Sequence, residues 1–185
     1  FAGDNFYKSW PNLSPIRGSA YRDVRKWAMT IDAMLNEQPE VVVPGHTRPI
    51  VGSELAAEML TNYRDAIQFV FDKTVEGINK GLTPNQLIES VQLPEKYLKL
   101  DYLRPHYGHP EWAVRSIFAG YLGWFDGNAT NLFPLSDKEE AARLAKMTGG
   151  VSALHAQSEA AMKEGDYQWV LKLSDYILAL EPEST

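Results

Sequence analysis

Two residues with metal-ligand chemistry stand at matching places in this chain. Asp4 follows Gly3 after the apolar pair Phe1-Ala2, and His46 follows Pro44-Gly45 after the β-branched run Val41-Val42-Val43. Each pattern reads as a strand that ends in a turn with a polar side chain at its tip. Neighbouring strands of an α/β unit present their C-terminal ends on one edge, so the carboxylate and the imidazole would meet there. Both suit zinc, and a chain without cysteine can hold a transition metal only through His, Asp or Glu. Two donors do not complete such a site, which normally takes at least three protein ligands. The same two residues also fit a quieter role, as a turn aspartate and a hydrogen-bonded histidine.

The elements that must position them can be read from periodicity and punctuation. From Asn5 to Gly18 the residues Pro11, Asn12, Ser14 and Pro15 favour an ordered loop, a common seat of function. Val24, Trp27, Ala28, Ile31, Met34 and Leu35 follow helical spacing, which predicts a helix from about Ser19, its N-cap, to Asn36. Pro39 ends it before the short buried strand that delivers His46. Beyond Gly52 no further strand is expected. Leu55 to Asn79 reads as a long amphipathic helix with Leu60, Tyr63, Ile67, Val70, Thr74 and Ile78 on one stripe. Thr83-Pro84-Asn85-Gln86 is a capping box that opens a helix to about Val91, and another runs from Pro110 through Trp124 to an end near Gly127. A second capping box, Ser136 to Glu139, starts a helix that stops at Thr148-Gly149-Gly150. The last segment is a helical hairpin around Glu164-Gly165-Asp166, similar to one tetratricopeptide-like pair and equally readable as an ordinary helix pair. The fold class is therefore mainly α with a small α/β portion.

Composition narrows the functional classes. The 185 residues carry a net charge of −6 and 44% hydrophobic residues, enough for a buried core. Lys and Arg are dispersed, which argues against nucleic acid and anionic membranes. No run approaches the roughly 20 apolar residues of a membrane span.

Longer strings carry a family resemblance. Phe1-Ala2-Gly3-Asp4 resembles the late metal-bridging motif of the metallo-β-lactamase superfamily, and Val42-Val43-Pro44-Gly45-His46 resembles its final metal-ligand motif. Asn12-Leu13, Arg17-Gly18, Arg22-Asp23, Trp27, Tyr63-Arg64-Asp65-Ala66, Gly81-Leu82-Thr83-Pro84 and above all Gly120-Tyr121-Leu122-Gly123-Trp124-Phe125-Asp126-Gly127-Asn128 are similar to the alkylsulfatase branch. The resemblance implies the C-terminal piece of a metallo-β-lactamase αββα fold at 1–51, followed by an all-helical dimerisation domain at 52–185. It further implies a hydrolase with two zinc ions that cleaves an alkyl sulfate ester, assembled as a homodimer and compatible with a periplasmic or secreted location; the alternatives are a metallo-β-lactamase-fold hydrolase of another ester, or a helical dimerisation module without activity of its own.

Under that resemblance Asp4 is the bridging carboxylate and His46 a zinc ligand, while Asn12 and Arg17 hold the sulfate oxygens and Tyr107 reaches the site from the helical part. A planar guanidinium suits an oxyanion because it donates at two points. His106 and His109 flank Tyr107 as an acid, polar support or cap, and His155 is expected to be structural. The aromatic residues Trp112, Phe118, Tyr121, Trp124 and Phe125 are expected in core or dimer contacts, with an alkyl-chain pocket as the other reading. Asp4 and His46 would then form the late part of a site whose remaining histidines are absent from these residues. These residues alone are expected to bind zinc weakly or not at all.

Overall fold

The computed structural model describes residues 1–183, and the last two positions of the expected helical domain lie outside them. Among the described residues, helices predominate beside one small two-stranded sheet, as the fold-class expectation has it. By packing, the chain divides into two compact units, Phe1–Gly127 and Asn128–Thr185. The expected boundary at 51/52 falls inside the first unit, because a division drawn by family resemblance need not follow packing.

The first unit is built on α2 (Ser53–Asn79), whose stripe Leu60, Tyr63, Ile67, Val70 and Thr74 is fully buried. Against it lies α1 (Val24–Asn36), which contributes Val24, Ala28 and Ile31 to the same core. Arg64 of α2 forms ion pairs with Asp32 of α1 and with its neighbour Asp65. The N-cap of α1 is Asp23, whose side chain accepts from the Lys26 N–H, and not Ser19. Residues 19–22 stay outside the helix because they are engaged elsewhere. Arg22 donates to the Asn12 carbonyl at 2.8 Å, and the Tyr21 ring lies in the space where a side chain on Gly120 would stand.

Strand β1 (Val41–Val42) pairs antiparallel with β2 (Ile50–Val51), with Val42 opposite Ile50. Strand β2 has no signature in the sequence, because two residues between Pro49 and Gly52 are too few to display alternation. Both inward side chains, Val42 and Ile50, are buried beside α2, while Val41 and Val51 face out.

Helix α3 (Pro84–Ser90) opens on the expected capping box, with Thr83 and Gln86 each satisfying the other's backbone N–H. The short α4 (Glu95–Leu98) and a 3-10 turn at Asp101–Leu103 follow. Helix α5 (Pro110–Leu122) packs Ala113, Val114, Ile117 and Phe118 into the core and ends at Leu122, with Gly123 as its cap, short of the expected stop near Gly127. Of the aromatic set, Phe118 is buried, whereas Tyr121 and Trp124 remain exposed.

The second unit holds α6 (Asp137–Thr148), α7 (Val151–Glu164) and α8 (Tyr167–Leu180), packed around Ala145, Leu154, Leu173 and Ile177. Ser136 caps α6 as expected, and the α7–α8 hairpin turns at Gly165-Asp166. Among the described residues no helix is long and apolar enough to cross a membrane.

Residues 5–22 have no regular structure, yet they are rigidly seated. Phe6, Trp10 and Leu13 are buried in the main core, and the Phe6 ring packs 4.7 Å from that of Tyr63. Trp10 N–H and Ser9 Oγ–H both donate to the Arg104 carbonyl at 2.9 Å, and Trp27 Nε1–H donates to the Asn5 carbonyl at 2.8 Å. Trp10→Ala should therefore destabilise the protein by about 3–5 kcal/mol in urea unfolding. Met29→Ala, on the solvent face of α1, should stay within about 0.5 kcal/mol of the parent.

Candidate functional site

Asp4 and His46 are brought together by main chain. Ala2 N–H donates to the Val43 carbonyl at 2.8 Å and Gly45 N–H donates to the Gly3 carbonyl at 2.7 Å, forming a parallel bridge between Gly3 and Pro44. One residue beyond the bridge on the first segment stands Asp4; two beyond it on the second stands His46. Gly45 lies close against this pair, since a Cβ there would meet Asp4 Oδ1 and the Gly3 main chain, and Asp4 would have to turn away. His46 Nε2 lies 3.5 Å from Asp4 Oδ1, and the two side chains are 73% and 68% exposed. An ion pair so open to water contributes little, so the juxtaposition is set by the backbone ladder.

The donor chemistry, one carboxylate and one imidazole, fits zinc. Among the described residues no group of three or more His, Asp or Glu is gathered in a way that could hold a metal. Two suitable, outward-facing donors are thus present, short of the three that a closed or catalytic zinc site takes.

Beside this pair lies a second set. Arg17 donates from Nη1 to the Tyr107 hydroxyl at 3.1 Å. Hydrogen bonds from Arg17 and then from Asn12 hold the Tyr107 phenol below its ordinary pKa. Asn12 is 4% exposed, and its side-chain Oδ1 has no partner in the protein. A buried amide oxygen left open in this way is costly unless a water or ligand donates to it. Segment 104–109 reaches the loop because Gly108 lies flat on Pro11-Asn12, where a Cβ would overlap the Pro11 carbonyl. The structure therefore gathers Asn12, Arg17 and Tyr107, positions up to 95 residues apart.

Between the two sets stands Tyr7, which the sequence reading did not select. Its hydroxyl accepts the Asn12 N–H at 2.6 Å, and its ring lies 6.4 Å from that of His46 and 6.3 Å from that of Tyr107. Burial pushes its pKa up, partly countered by the Asn12 hydrogen bond. One tyrosine among nine carries no local signal of such a position. Thr47 adds a further tie, since its Oγ1 accepts the Lys8 N–H at 3.3 Å.

The remaining histidines are placed plainly. His109 is the N-cap of α5, its Nδ1 accepting the Glu111 N–H at 3.3 Å. His106 N–H donates to the Arg104 carbonyl. His155, in the second unit, lies 3.3 Å from Glu181.

With this geometry in view, comparison with known proteins is decisive. The family model described as alkyl sulfatase dimerisation matches residues 83–185. The chain belongs to the alkylsulfatase family. A linear primary-alkylsulfatase of a Pseudomonas species is 39% identical over 172 residues, covering 92% of this chain and 33% of that protein. An (R)-specific secondary-alkylsulfatase of Pseudomonas is 32% identical over 183 residues, covering 97% of this chain and 28% of its own length. A solved structure of a stereoselective inverting sec-alkylsulfatase from Pseudomonas superposes with a TM-score of 0.91 at 32% identity, over 98% of this chain and 29% of that one. The chain thus spans about a third of the length of these alkylsulfatase relatives.

The hydrogen bond from Arg17 stabilises the Tyr107 phenolate over the phenol. Arg17→Met should consequently move Tyr107 ionisation to higher pH, read by NMR titration of ring-labelled tyrosine, whereas Lys26→Met should leave it unchanged.

Proposed function

We propose that these residues form the late portion of the active site of a zinc-dependent alkylsulfatase, together with its assembly region. The observation that supports this best is the adjacency of two chemically distinct sets across one buried tyrosine. Asp4 and His46 offer metal donors, and Arg17, Asn12 and Tyr107 offer a cluster of hydrogen-bond donors and positive charge. In this reading Asp4 and His46 would both hold zinc, together with further ligands beyond these two. Zinc held there would supply Lewis acidity and a bound water that ionises near neutral pH.

The chain's own residues deal with the sulfate. Arg17 carries a permanent positive charge and a planar fork that matches two sulfate oxygens. Its hydrogen bond to the Tyr107 oxygen leaves the phenolic proton free to point at a third oxygen, and a phenol with a lowered pKa is a stronger donor. The Asn12 amide, fixed by its buried backbone, adds a neutral contact. None of these groups favours an uncharged ester, which separates the sulfatase reading from hydrolysis of another ester on the same fold.

Arg17→Ala in the full-length protein should raise KM for an alkyl sulfate by about a hundredfold, as expected for loss of a charge-assisted bidentate contact. Hydrolysis of an uncharged ester should change little. An equal loss on both substrates would assign Arg17 to structure and defeat the sulfate reading.

A homodimer accompanies this proposal. In the second unit Phe133, Met147, Tyr167 and Leu171 remain exposed, apolar surface open to a partner. A twofold partner would cover it most simply. Removing residues 1–51 would strip Phe6, Trp10, Leu13 and Ile31 from α2, so assembly is best measured on the whole chain. Sedimentation equilibrium should give twice the 20.8 kDa chain mass, and a monomer at high concentration would reject assembly through these residues.

A further inference from the structure

We propose that Tyr7 is a positioning residue that holds the sulfate-binding set and the metal-ligand histidine in one register. The inference rests on the alkylsulfatase reading above and deepens it. Asp4, His46 and Tyr107 are exposed, and nothing in their own burial fixes them relative to one another. Tyr7 is 5% exposed and touches both sets.

Its two parts have separable effects. The hydroxyl accepts the Asn12 N–H at 2.6 Å, inside a segment where Asn12 also presents its carbonyl to Arg22 at 2.8 Å. Together these bonds clamp the Asn12 main chain from both sides, which fixes where its amide emerges. The ring is a rigid plate whose edge-on contact with His46, at 88° between planes, limits the tilt of the imidazole, while its tilted contact supports Tyr107. The main chain of Tyr7 is itself held, its carbonyl accepting the Ser9 N–H at 2.8 Å. A shift of Tyr7 would thus be transmitted to Asn12, His46 and Tyr107 together.

Replacing only the hydroxyl tests this in the full-length zinc-loaded protein. Tyr7→Phe leaves the buried Asn12 N–H without its acceptor, and KM for an alkyl sulfate should rise roughly tenfold with kcat within about twofold and zinc content unchanged. Tyr7→Leu also removes the plate, and bound zinc should fall as well. Asn12→Ala and Arg17→Ala are assayed alongside. If both raise KM while Tyr7→Phe only lowers Tm and leaves KM alone, Tyr7 serves the fold and the positioning role is overturned. If neither Asn12→Ala nor Arg17→Ala moves KM, the sulfate reading itself is wrong and this inference falls with it.

Discussion

The site depends on one short stretch of backbone pairing. Two hydrogen bonds, from Ala2 to Val43 and from Gly45 to Gly3, bring the first residues of the chain beside the turn after β1. The acidic and imidazole side chains are open to solvent, where their mutual attraction is weak. Main-chain hydrogen bonds therefore set where the two side chains leave the backbone. The absence of a Cβ at Gly45 leaves Asp4 the space it occupies beside the turn.

A second constraint fixes the loop that follows. Buried aromatic anchors, Phe6 and Trp10, sink into the core of α2, and hydrogen bonds to Arg104 and from Trp27 tie down the backbone between them. Exposed polar groups are thereby mounted on a segment anchored in the core. Donors already in place in this way need not be ordered when a ligand arrives. It also leaves some polar atoms without protein partners, as at Asn12 Oδ1.

How much of this the sequence discloses depends on the kind of signal involved. Long helices are legible because burial repeats with their period, as in the Leu60-to-Thr74 stripe, and the Thr83 and Ser136 caps announce themselves by residue type. The cap of α1 does not, since Ser19 and Asp23 are both good caps and only the tertiary engagement of Tyr21 and Arg22 decides between them. Strand β2 is too short to show a pattern. Asp4 and His46 are legible from their chemistry and their glycine turns, and Asn12, Arg17 and Tyr107 through family resemblance. Tyr7 is not, because its place is defined by contacts at 5, 39 and 100 positions along the chain, which no local spacing encodes.

The Arg17–Tyr107 hydrogen bond joins two stretches of different ancestry-level assignment, since Tyr107 lies within the region matched by the dimerisation family model and Arg17 lies before it. The first packing unit, Phe1–Gly127, contains both, and Gly108 is pressed flat on Pro11-Asn12 between them. The matched region is consequently not a separable module here. A chimera that exchanged residues 83–185 between two relatives would also exchange Tyr107, the partner of Arg17, so the surroundings of that guanidinium would be inherited along with the helices.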